Sequence, residues 1–139
     1  MRNFILHLLL LQIAIGNTPK FGDEQISVML REYFTASKNS PILIGHQFYQ
    51  TRDKKIIQIE IQLKATSANN AMIFGFKAMN RLANVAKTNF DLSILVMHFE
   101  DNIMPIIAES DILCSKDFFI NKIGNENQWR KNCLTIRDH

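Results

Sequence analysis

The chain has 139 residues, 47% hydrophobic and 21% charged, with 16 Lys and Arg against 13 Asp and Glu and a formal charge of +3. That balance is too mild to demand a polyanionic partner, and a basic balance alone is weak evidence for nucleic-acid binding. There is no internal repeat and no low-complexity tract, and after residue 16 no apolar run approaches membrane-spanning length.

The first sixteen residues, MRNFILHLLLLQIAIG, place one positive charge at Arg2 before an apolar run from Phe4 to Ile15, and the run closes on Ala14-Ile15-Gly16. A basic start, a short apolar stretch and small residues before the cleavage point define a secretory signal peptide. An uncleaved N-terminal membrane anchor and a buried core helix are the alternatives. A spanning helix needs about 20 apolar residues, and a core helix shows a polar face. This run is shorter, is interrupted by His7 and Gln12, and has no such face. No cysteine stands near the cleavage point to carry a lipid. The expectation is a signal peptide over 1–16 and a single domain over 17–139, 123 residues long, working in the periplasm or outside the cell.

The spacing of Ile26, Met29, Leu30, Tyr33 and Phe34 predicts an amphipathic helix from Asp23 to Ser37, with Asp23 and Glu24 favouring its amino end. Asn39-Ser40-Pro41 breaks it. ILIGHQFYQ then reads as a strand, and Thr51 to Lys55 as a hairpin turn without the glycine that the tightest turns favour. From Ile56 to Lys64, Ile57, Ile59, Ile61 and Leu63 alternate with Gln58, Glu60, Gln62 and Lys64, the mark of a strand with one dry and one wet face.

A second helix is expected over about Ala71 to Lys87, with Ser67 or Asn69 as cap. Met72, Phe76, Met79, Leu82, Ala83 and Ala86 form its buried side, and Lys77, Asn80, Arg81, Asn84 and Thr88 its outer side. Gly75 costs about 1 kcal/mol of helix propensity relative to Ala and signals close approach to a sheet. Phe90 to Phe99 is apolar on both faces and belongs at the centre of the sheet. Met104 to Ser110 is a fourth strand whose Pro105 favours an edge or a bulge. Phe118 to Ile123, ended by Gly124, and the stretch around Trp129 read as short helical pieces.

The fold class is therefore α+β: an antiparallel sheet of about four strands in the order α-β-β-α-β-β, with two main helices packed on it and a short helical C-terminal tail. The α-β-β-α-β order is similar to that of the small envelope modules known as BON domains. No sequence motif accompanies the likeness, and an analogy of fold transfers no function.

Chemistry-bearing motifs are scarce. The chain has no phosphate-cradling glycine loop, no nucleophile elbow, no H-E-x-x-H helix and no acidic calcium loop, and nothing calls for a cofactor. The best polar constellation is His98, Glu100 and Asp101, with His46 able to join it across the sheet. A carboxylate beside an imidazole can orient a general base or supply two metal ligands, but neither a nucleophile nor a third ligand is identifiable. The plainer reading makes Glu100 and Asp101 turn residues. Cys114 and Cys133 read as a disulfide in an oxidising compartment or as two buried thiols; neither shows zinc-ligand spacing to a histidine. Lys77, Arg81 and Lys87, with Lys64 nearby, could face anions or form an ordinary solvated helix face.

Two functional readings follow. One is a non-catalytic binding or assembly module of the cell envelope or extracellular space, engaging a protein partner or a second copy of itself through its sheet face. The third strand, apolar on both sides, leaves part of that face in need of a cover, which the segment holding Phe118, Phe119 and Trp129 could also supply. The other is a small extracytoplasmic enzyme or metal-binding protein centred on His98 and Glu100.

Overall fold

A computed structural model describes residues 20–101 and 104–138, so the signal peptide expected over 1–16 and its junction with Asn17 lie outside the described residues. Within them the chain runs α1 (Asp23–Thr35), β1 (Ile42–Thr51), β2 (Lys54–Leu63), a short 3-10 turn (Ala65–Ser67) and α2 (Ala68–Val85). It continues through β3 (Leu92–Phe99), β4 (Ile106–Asp111), α3 (Ile112–Phe119), α4 (Glu126–Cys133) and β5 (Leu134–Asp138). The fold is α+β, as the sequence indicates.

The sheet differs from the expected one in two respects. It has five strands in the spatial order β1-β2-β3-β4-β5, and it is mixed: β2 and β3 run parallel, while the other neighbouring pairs are antiparallel. The parallel pair follows from α2. An 18-residue helix lying across the sheet carries the chain back to the end where β2 began, so β3 sets off beside β2 in the same direction. The fifth strand takes the end of the presumed helical tail and covers the outer edge of β4. Pro105 consequently stands just before a strand with neighbours on both sides.

The helices bury one face of the sheet. Ile57, Ile59 and Ile61 of β2 and Leu95 of β3 are fully buried against Ile26 and Leu30 of α1 and Phe76 and Met79 of α2. A Cβ on Gly75 would stand 3.0 Å from a Leu95 methyl, the close approach of helix to sheet that the sequence suggests. Asn80 departs from expectation: it is 2% exposed, and its Nδ2 donates to the Phe76 carbonyl oxygen at 2.8 Å. The C-terminal helices α3 and α4 also pack on α2, so more of that helix is buried than two helices on a sheet would bury. Trp129 meets Phe76 at a ring separation of 5.4 Å, and Phe118 and Phe119 close around Trp129. The C-terminal helices therefore lie on the same side of the sheet as α1 and α2.

Two local features hold the sheet in place. The β1–β2 hairpin turns at Arg52-Asp53, with Arg52 at φ 57° in place of a glycine. Asp91 joins the starts of two strands and a helix: its carboxylate accepts from Lys55 N–H at 2.9 Å, its own N–H donates to Lys55 O, and its carbonyl accepts from Ile112 N–H.

Candidate functional site

The pairing register assigns every strand residue to one of two faces, because directly opposed residues point the same way. Gln58, Glu60 and Gln62 of β2 stand opposite Ile94, Val96 and His98 of β3, and Ile94 and Val96 stand opposite Glu109 and Ile107 of β4. All of them lie on the face away from the helices. Leu92, Ile94, Val96 and Ile107 form a half-buried apolar stripe down the middle of this face.

Polar pairs border the stripe. On the β1 side the Tyr49 hydroxyl donates to Gln58 Oε1 at 2.6 Å, and His98 Nε2 meets Glu60 Oε1 at 2.8 Å. On the β5 side Arg137 Nη2 donates to Glu109 Oε2 at 2.8 Å. Burial of the phenol, and secondarily the negative charge of Glu109, push the Tyr49 pKa up, so the hydroxyl stays protonated. The face thus has an apolar centre with polar side chains on either side that are satisfied by one another.

The expected polar cluster is dispersed. His98 pairs with Glu60 rather than with Glu100, because β3 ends at Phe99 and the chain turns before Glu100 can share the face. Glu100 sends its N–H to Leu63 O at 3.2 Å. Its side chain lines a cleft of about 590 Å³ at the end of the sheet with Lys64 and Asn70, and Asp101 is an exposed turn residue. His46 cannot join His98 across the sheet, because it occupies the opposite face. It stands opposite Ile59, bonds to Ser27 Oγ of α1 at 3.0 Å and lies 5.6 Å from the Phe48 ring. Burial, then the positive charge of Arg31, hold the His46 pKa below its usual value. The His98–Glu60 pair could hold an imidazole in one tautomer, but among the described residues no hydroxyl or thiol is bonded to that imidazole. Among them, too, no three His, Cys, Asp or Glu side chains are grouped to hold a metal.

The basic residues do not form one helix stripe. Lys77 and Arg81 are half-buried on α2, and Arg81 bonds to the Tyr33 side chain. Lys87 falls beyond the helix end, where its N–H donates to Phe21 O at 2.8 Å. Burial, then the charges of Arg81 and Lys122, lower the Lys77 pKa. Cys114 of α3 and Cys133 of α4 stand at disulfide-bonding distance, with Cα atoms 5.6 Å apart. Among the described residues no helix is long and apolar enough to cross a membrane.

Glu60, Tyr49, Glu109 and Arg137 escape a reading of the sequence. The wet face of β2 marks Glu60 as pointing outward, but its partner is 38 positions away and emerges only from the β2–β3 register. Compared with protein families, with curated proteins and with solved structures, the chain matches none.

Proposed function

We propose that the protein is a non-catalytic binding or assembly module acting outside the cytoplasm, and that the open face of its sheet is the surface that docks. The observation carrying this reading is the stripe Leu92, Ile94, Val96 and Ile107, bordered by the pairs Glu60–His98 and Glu109–Arg137 and left uncovered by all four described helices. Phe118, Phe119 and Trp129 do not supply the cover, since Trp129 packs on the other side against Phe76 and Phe118 and Phe119 close around Trp129. The extracytoplasmic setting is supported by the leader sequence and by the bonding distance between Cys114 and Cys133.

The test is the native mass of the protein as it is released from the cell. The reading expects an assembly heavier than the monomer that Ile107→Lys dissolves and Arg31→Glu, on α1 across the sheet, leaves intact. A mass unchanged by Ile107→Lys would remove the open face as the docking surface.

A further inference from the structure

The two edges of the sheet are unequal. β5 is five residues long and carries Arg137 and Asp138, whereas β1, ILIGHQFYQT, spans ten residues without one Asp, Glu, Lys, Arg or Pro. Edge strands expose a row of unpaired N–H and C=O groups, and natural sheets blunt them with charge, proline, bulges or shortness. On β1 the one such device is the irregularity between Leu43 and Gly45, and Ile42 and Ile44 beside it are 57% and 50% exposed. The seven residues from Gly45 to Thr51 keep regular pairing with β2 on their inner side. Among the described residues, none pairs with their outer side.

We infer that β1 pairs antiparallel with β1 of a second copy of this chain, joining two five-stranded sheets into one. The occupant follows from the charge pattern. Antiparallel self-pairing about a two-fold axis sets a strand against itself, and any charge near the axis then meets its own copy. β1 is free of that penalty along its whole length, and the exposed Gln47, opposite Gln58 on the open face, can sit at the axis and bond to its own copy. Such pairing also merges two open faces into one broader surface. The inference rests on the strand edge and stands apart from the proposal for the face, so either can fail alone.

The experiment is light scattering and backbone amide exchange on the full protein, purified with whichever N terminus it carries in its own compartment. Three forms are compared: the native chain, Gln47→Lys with Gln50→Lys, and Gln47→Glu with Gln50→Glu. The native chain should show a concentration-dependent doubling of mass, with β1 amides slowed only in the dimer. Each variant alone should dimerise about tenfold more weakly or worse, and mixing the two should restore the dimer. Three results would overturn the inference. A native monomer at millimolar concentration shows no self-pairing. A dimer unmoved by either variant places the contact elsewhere. Protection of β1 amides in a monomer assigns the edge to the chain's own residues before Lys20. The native measurements decide the matter even if a variant folds poorly.

Discussion

Trp129 donates its indole N–H to Ser115 Oγ at 2.9 Å, with both residues buried beneath the C-terminal helices. The bond is one link in a buried chain: Ser115 Oγ meets Ser110 Oγ in a short contact, and Ser93 Oγ donates to Ser110 O at 2.9 Å. Helices α4 and α3 are thereby tied through β4 to β3. This anchorage holds the C-terminal segment on the helix side, so that among the described residues no helix covers the apolar stripe of the other face.

Ser115→Ala strands the Trp129 donor and the Ser110 hydroxyl in a dry site, and should cost about 2 kcal/mol in urea unfolding. Trp129→Phe should cost about 2–3 kcal/mol, because packing volume is lost along with the bond. The double variant should lose clearly less than the sum, the signature of a shared interaction. Strict additivity would show that the serine chain does not hold the helices.

The distance between Cys114 and Cys133 predicts a disulfide closing a loop of 19 positions in sequence. Mass spectrometry after alkylation without reductant should find no modified thiol. Reduction, or paired Cys→Ser substitution, should lower stability by about 3 kcal/mol in the chain-entropy description.

Much of the architecture is legible where one strand or helix carries its own signal. Ile57, Ile59, Ile61 and Leu63 reveal β2 because half of that strand is dry, and the two apolar faces of β3 foretell its central place. What escapes depends on partners distant in sequence. LTIRD of β5 has no strong pattern and is a strand only through its pairing with β4. His98 looks toward Glu100 by sequence spacing, yet the end of β3 releases Glu100, and the parallel register supplies Glu60. Asn80 reads as an outer helix position because the sequence does not reveal that two more helices pack on α2.

His46 makes stability fall in mild acid. Burial, reinforced by Arg31, lowers its folded-state pKa below the ordinary histidine value, so the unfolded chain takes up the proton first as pH drops. This contribution is fully present above the unfolded value of about 6.5 and is lost as pH falls toward the lower folded value. His46→Gln should flatten the melting temperature measured between about pH 7.5 and 5, relative to the native chain. An identical slope in both proteins would assign the acid sensitivity to other groups.

Gly75 lets α2 sit against Leu95. An alanine there gains about 1 kcal/mol of helix propensity, but its Cβ would lie 3.0 and 3.2 Å from the two Leu95 methyls in a fully buried site. Gly75→Ala should therefore destabilise by about 1 kcal/mol net. Leu95→Val should cost less in the Gly75→Ala background than in the native chain. Equal costs in the two backgrounds would show that the helix and strand are not in limiting contact.

The central claim, that the open face docks a partner, is tested most directly by photo-crosslinking from single positions in cells producing the protein. A photoreactive residue replacing Ile94 or Ile107 should give one discrete adduct, whereas Glu24 and Arg31, exposed on α1, should give none. Absence of an adduct at Ile94 and Ile107, or the same adduct from Glu24 and Arg31, would contradict the account.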